Sequence, residues 1–363
     1  MGNCFHLTGP PTNTLHHHVV NNMSNMSLAS GHKVIPLEGE ELAHRERDFT
    51  GESMGTVRLE PGRWLFPKAY TRFADNVYNF KWRQGDVCIM TWPKCGTTWM
   101  QEIIWNMRNN PNLDNPEVNK PLFMKSPFLE FDMIMEGCMN DGSPPPEEHP
   151  FQAMCPGADR KDGIMIQMSE RLADPRTIKT HLPFSLLSPN ILDNAKVVYV
   201  ARNPKDAVVS YHHHCRLINM HGYKGSFEDF VKYFIEDNLM YGPYWLTLKE
   251  AWEKRNHPNV YIMYFEDMKK DIIGQLKKLD AFIGTNLTEK QFENIAEWTS
   301  FAAMKAREEQ SKGHLNKEVM EKDGGFLRKG VTGDWKNKLT PELESLVDDW
   351  TKKNISGLGV EFK

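Results

Sequence analysis

Short apolar runs that stop at a polar residue recur along this chain, and each is followed by apolar residues at helical spacing. Val87, Cys88, Ile89 and Met90 run up to Thr91; beyond Pro93 and Gly96, Met100, Ile103, Ile104 and Met107 mark one helix face. Thr177-Ile-Lys-Thr-His181 reads as a short strand running into Leu182-Pro183. Lys196-Val-Val-Tyr-Val-Ala201 is another, ending at Arg202. Pro204 then suits the first turn of a helix, Asp206 lies near the positive end of its dipole, and Val208, Tyr211 and Cys215 mark its buried face. Val260 to Phe265 is a further strand, and Ile272, Leu276, Leu279 and Ile283 form the apolar face of the helix after it. Strands alternating with helices predict an α/β fold, a central parallel sheet wound on both faces. Ligands on such sheets bind beyond the C-terminal strand ends, where Lys94, His181 and Arg202 all fall.

The pattern fades in two places. Residues 1–50 read as a disordered or loosely attached arm: Asn, Ser, Met and His dominate from Thr12 to Ser30, and the charged runs Glu38-Gly-Glu-Glu and His44-Arg-Glu-Arg-Asp48 leave little to bury. Met1-Gly2-Asn3-Cys4 begins like a lipidation signal, but His6 stands where Ser or Thr is expected, so membrane attachment is only a side reading. Residues 57–363 read as one domain, with Trp64, Phe66, Phe73, Tyr78, Phe80 and Trp82 packing a lead-in to the first strand. Residues 110–176 form a long insertion containing Pro127, an aromatic and methionine stretch from Phe123 to Met139, and the breaker cluster Asp141-Gly-Ser-Pro-Pro-Pro146. A loop of this length is a lid or binding element, or else a peripheral helical insertion.

Composition narrows the partners. With 363 residues, 40% hydrophobic and 25% charged, the chain has material for one large core. A formal net charge of -4 argues against bulk affinity for nucleic acid. Six scattered cysteines without a Cys-x-x-Cys pair suit a reducing compartment, and no apolar run approaches the ~18 residues of a membrane span, so a cytoplasmic location is the expectation.

The candidate chemistry centres on Trp92-Pro-Lys-Cys-Gly-Thr-Thr-Trp99. Lys94 and Gly96 precede a helix whose first turn carries Thr97 and Thr98, so unpaired amides and the helix dipole converge on an anion. The nucleoside-triphosphate version needs a first glycine and places its lysine after the second; here the lysine comes first, which disfavours an ATP or GTP site and hence a kinase. The segment resembles the 5'-phosphosulfate loop of the cytosolic (soluble) sulfotransferases. Three further stretches match that family in order: Ile178-Lys-Thr-His-Leu-Pro183, Val198-Tyr-Val-Ala-Arg-Asn-Pro-Lys-Asp-Ala-Val-Val-Ser-Tyr211, and Arg328-Lys-Gly-Val-Thr-Gly-Asp-Trp-Lys336. The resemblance runs from about residue 60 onward. The extra length before His181 is similar to the insect branch that includes retinol dehydratase.

The resemblance implies a P-loop-type fold. It also implies PAPS (3'-phosphoadenosine 5'-phosphosulfate) as co-substrate, PAP as product, no metal, and a small apolar hydroxyl acceptor such as a phenol, steroid, retinoid or xenobiotic alcohol. By that resemblance His181 is the general base, Lys94 and Lys179 neutralise charge, and Ser210 touches the 3'-phosphate and restrains the lysine. Lys94, Cys95, Gly96, Thr97 and Thr98 hold the 5' end, and Arg202, Ser210, Arg328, Lys329 and Gly330 the 3'-phosphate. Trp99, Phe265, Thr299, Ser300, Phe301 and Met304 surround the nucleotide, although Trp99 also fits a core position. A transient sulfate ester that eliminates, as in retinol dehydratase, is the alternative outcome. A non-catalytic hormone carrier would not require Lys94, Lys179, His181 and Ser210 together.

Some positions depart from the family pattern. Cys95 replaces a common serine and is either an activated thiol beside Lys94 or an inert small residue. Phe265 stands where tyrosine is frequent, so a polar contact is lost or supplied by Tyr264. Of the family's dimer motif only Lys336 and Thr340 remain, with Pro341 and Ser345 at the other positions, which leaves monomer and homodimer both open. His212-His213-His214 point in different directions on a helix and read as part surface, part pocket wall, not as a metal site.

Overall fold

The structure, a computed structural model, describes residues 26–52, 55–134, 150–311 and 325–362. Its centre is a parallel sheet of β4 (Asp86–Thr91), β5 (Thr177–Thr180), β6 (Ala195–Ala201) and β7 (Val260–Tyr264), in the order β5-β4-β6-β7. Each pairing is parallel, with Ile89 opposite Lys179 and Val198, and Val198 opposite Tyr261. The alternation within the apolar runs assigns the two faces. Val87, Ile89, Val198 and Val200 pack with Met100, Ile103, Ile104 and Met107 of α2 (Thr97–Asn109) and with Leu276 and Leu279 of α5 (Ile272–Ile283). Cys88, Met90, Val197 and Tyr199 face the other way, toward Val208, Tyr211 and Cys215 of α3 (Pro204–Leu217). Burial on both faces is why these strands read as continuous apolar runs.

The arm expected over residues 1–50 is corrected in part. Residues 1–25 lie outside the described residues, but β1 (Lys33–Pro36) joins β2 (Thr56–Glu60) and β3 (Trp64–Pro67) in an antiparallel sheet. α1 (Gly39–Asp48) follows β1. Its charges are used: Arg45 pairs with Glu52 at 2.5 Å and donates to the Asn238 carbonyl at 2.6 Å, and the buried Phe49 ring lies 4.8 Å from Tyr223. Asn238 and Tyr223 are distant in sequence, so Arg45 and Asp48 of this charged run are buried, while Glu40, Glu41, Glu46 and Arg47 stay exposed. Trp64 and Phe66, expected in a lead-in, are buried within β3.

The insertion does two things. Phe151, Cys155, Ile164, Met165 and Met168 form a satellite core, and Asp132 caps the helix Ile164–Arg171 by accepting from the Ile164 and Met165 amides at 2.8 and 3.0 Å. Pro127 to Leu129 instead runs beside β5, with Lys179 N–H donating to the Pro127 carbonyl at 2.8 Å and Leu129 N–H to the Lys179 carbonyl at 2.9 Å. The breaker cluster Asp141–Pro146 lies outside the described residues.

Candidate active site

The C-terminal ends of the four parallel strands lie along one edge of the sheet, and the chain leaves them through Lys94, His181, Arg202 and Phe265 respectively, whose surroundings we call the recess. After β4 the chain turns through two left-handed residues, Lys94 (φ 64°) and Gly96 (φ 96°), before α2 begins at Thr97. Gly96 is required twice over, because a Cβ there would also lie 2.7 Å from the Phe265 ring. The Lys94 ammonium sits 3.9 Å from the centre of the Phe326 ring. Burial, with the charges of Lys179 and Arg202, lowers its pKa to about 7. Cys95 is buried, and burial raises its thiol to about 12 despite the opposing pull of Arg202. Desolvation outweighs the cationic neighbours, which favours the inert of the two readings of Cys95.

Arg202 ties three segments together. It donates to the Lys94 carbonyl at 2.8 Å and the Val331 carbonyl at 3.2 Å, and its guanidinium lies 4.3 Å from the Phe265 ring centre. Phe265 opens α4 (Phe265–Lys270) and meets Trp99 edge-on at 5.7 Å. Tyr264 does not replace the missing phenol, since its ring faces the other core and Phe362, 5.8 Å away. Arg328 and Lys329 both pair with Asp334, at 2.5 and 2.7 Å. Phe301 packs directly over Gly330, where a Cβ would lie 2.2 Å from its ring, and Met304 is buried one turn later in α6 (Phe301–Ser311). Thr299 spends its hydroxyl on the Ile295 carbonyl at 2.7 Å, and the Ser300 hydroxyl accepts from Ala303 N–H at 3.3 Å. Thr98, Trp99 and Ser210 are half-buried.

His181 is buried and oriented by hydrogen bonds. Its Nδ1 lies 2.8 Å from the Thr91 carbonyl, which can only accept, so Nδ1 carries the proton and Nε2 keeps its lone pair. Thr91 is itself fixed to the Thr97 hydroxyl at 2.6 Å. Phe128 and Tyr241 flank the imidazole at 5.1 and 5.2 Å. Burial, followed by the Lys179 charge, pushes the imidazolium pKa well below its usual range, so the ring is neutral at physiological pH. The Lys179 ammonium lies 3.7 Å from the Phe128 ring centre, and burial lowers its pKa.

Sequence reasoning missed Glu130. Its carboxylate accepts from His181 N–H at 2.6 Å and from the Thr180 hydroxyl at 2.8 Å, inside the protein beside Lys179. Burial raises its pKa, and these hydrogen bonds and Lys179 oppose the rise. Only its position after the apolar Phe128-Leu129 could have drawn attention to it. Among the described residues no group of three or more His, Cys, Asp or Glu is placed to hold a metal.

A doubly wound sheet whose strand ends bring basic groups to a helix N-terminus is an α/β arrangement suited to an anionic ligand. The chain belongs to the sulfotransferase family: the sulfotransferase domain matches residues 84–359. It is 33% identical over 300 residues to luciferin sulfotransferase of Photinus pyralis, covering 79% of this chain and 76% of that one. It is also 34% identical to sulfotransferase 1A1 of Mus musculus, covering 82% and 93%. The fold is similar to that of retinol dehydratase solved with retinol and PAP (TM-score 0.78, 26% identity, covering 92% of this chain and 99% of that one). The protein is thus a sulfotransferase with the α/β fold expected from its sequence. No described helix is long and apolar enough to cross a membrane.

Proposed function

We propose that this sulfotransferase transfers the sulfuryl group of PAPS to the hydroxyl of a small apolar acceptor, a phenol, steroid, retinoid or xenobiotic alcohol, with His181 as general base. The observation that carries the reading is the locked imidazole: Nδ1 is committed to the Thr91 carbonyl, and Nε2 is left as a proton acceptor beside two lysines. The acceptor oxygen attacks sulfur as Nε2 takes its proton; the bond from sulfur to the bridging phosphate oxygen breaks, leaving a sulfate ester and PAP. Such transfers pass through a loose transition state in which positioning and charge stabilisation do most of the work. Lys94 meets the charge growing on the bridging oxygen, and Lys179 the sulfuryl oxygens. The anionic nucleotide raises the depressed pKa values of Lys94 and His181 toward those tasks.

In this reading the amides and hydroxyls of residues 94–98 hold the 5' end. Arg202, Ser210, Arg328, Lys329 and Gly330 hold the 3'-phosphate, which takes over the cations that Asp334 pairs here. Trp99 and Phe301 enclose the base, with Phe265, Thr299, Ser300 and Met304 around it. Four free, buried cysteines among the described residues fit a reducing, cytoplasmic setting. The likeness to retinol dehydratase supports a second outcome, in which the sulfate ester of an allylic alcohol eliminates. The test is calorimetry with PAP, then labelled PAPS with a panel of phenols, sterols, retinol and catecholamines. Measurable PAP affinity with a labelled sulfate ester supports the first reading, an anhydro-polyene the second, and absence of PAP affinity overturns both.

A further inference from the structure

His214 is a polar side chain deep in the molecule that the sulfuryl-transfer mechanism above does not use. It lies on α3, one helical turn after Ser210, with its ring 6.0 Å from Tyr211, 5.5 Å from His221 and 5.6 Å from Phe326. Phe326 also covers the Lys94 ammonium at 3.9 Å, so a single ring separates His214 from the sulfuryl-transfer lysine. The other histidines of the run go elsewhere: His212 packs edge-on against Phe227 and Phe230 at 5.0 and 5.2 Å, and His213 reaches the Gly325 carbonyl at 3.4 Å.

Nδ1 of His214 is sealed from solvent without a hydrogen-bond partner, yet part of the side chain stays open. The ring borders Phe326, which in turn covers the Lys94 ammonium, so we assign that opening to the recess at the strand ends. Leaving a buried N–H unpaired is rarer than leaving a lone pair unpaired, so the proton belongs on Nε2. The ring then presents one N–H donor to whatever fills the recess. Burial, followed by the charge of Lys94, holds its pKa well below the usual range, so the ring stays neutral.

Building on the sulfotransferase reading, we infer that His214 selects acceptors bearing a second oxygen on the ring that carries the reacting hydroxyl. A hydroxyl, carbonyl or ether oxygen satisfies the donor, whereas a purely hydrocarbon acceptor leaves it unpaired and pays the desolvation of the imidazole.

The test compares benzene-1,2-diol and benzene-1,3-diol with phenol, as kcat/KM per hydroxyl with labelled PAPS, in the wild-type chain and in His214→Phe and His214→Gln. The expected result is a wild-type preference of about tenfold for at least one diol, corresponding to one buried hydrogen bond. It disappears in His214→Phe and partly returns in His214→Gln. PAP affinity, measured by calorimetry in each variant, confirms the fold. A wild type that sulfates all three compounds without preference overturns this inference alone, as does an equal loss on all three in His214→Phe. Failure to sulfate any of them despite PAP binding overturns it together with the phenol-acceptor reading.

Discussion

Lys94 combines a left-handed backbone with a buried ammonium among other cations, and an anion offsets the second of these. Its pKa of about 7 leaves it half neutral at that pH, and in the proposed reading a bound phosphosulfate would raise it. Binding therefore takes up a proton, and PAP affinity should be full below pH 7 and weaken by up to about tenfold per pH unit above it, until the pKa of the complex is passed. Calorimetry in phosphate and in Tris should show buffer-dependent enthalpies with the sign of proton uptake; buffer-independent enthalpies count against a neutral Lys94. His181→Ala should lower kcat by roughly a thousandfold, the usual range for losing a general base, while PAP affinity stays within about threefold. Unchanged turnover would mean that another group is the base. The placement of Lys94, His181 and Arg202 was readable because each lies within three residues of a strand's C-terminal end. The state of Cys95 was not, since helix position and neighbouring charge argued one way and burial decided the other.

The elements that build the recess differ in how visible they were. β4, β6 and α3 follow from local periodicity, and Pro204 with the Asn203 cap, whose side chain accepts from Lys205 N–H at 2.9 Å, marks where α3 begins. The stretch of insertion beside β5 has no such signature, because its pairing is with residues about fifty positions away. Through Glu130 that stretch sets the position of His181 and the charge of Lys179. Glu130→Gln keeps much of the hydrogen bonding and removes the charge that favours the protonated lysine. The alkaline limb of the kcat profile should consequently move to lower pH, with roughly a tenfold loss on the basic side if the shift reaches about one unit. A pH-rate profile of the folded variant checks this; superimposable alkaline limbs would show that Glu130 acts only as a structural clasp.

At the scale of the whole molecule, the segment after residue 325 returns from far along the chain to complete the recess. Asp206 accepts from the Gly333 and Trp335 amides at 2.6 and 3.2 Å, Arg202 reaches the Val331 carbonyl, and Asp334 gathers Arg328 and Lys329. A nucleotide that binds these parts together stabilises all of them. PAP at about a hundred times its Kd should add about 2.7 kcal/mol, a rise in Tm of roughly 4 °C for a chain of this size. Arg202→Ala should abolish most of that shift and also lower the Tm of the unliganded protein, because two backbone carbonyls lose their donor. A scanning-fluorimetry shift equal to that of the wild type would exclude Arg202 from the nucleotide site. The sequence alone determined the alternation of strand and helix, the anion loop and the four family segments, since these rest on contacts between near neighbours and on residue chemistry at fixed spacing. Tertiary structure alone decided that Arg45 and Asp48 of α1 are buried, that Glu130 accepts from the histidine's backbone N–H, that Cys95 is buried and that Nδ1 of His214 is left without a partner. Each of those depends on which distant residue removes water from a polar group, and water exclusion is not written in local pattern.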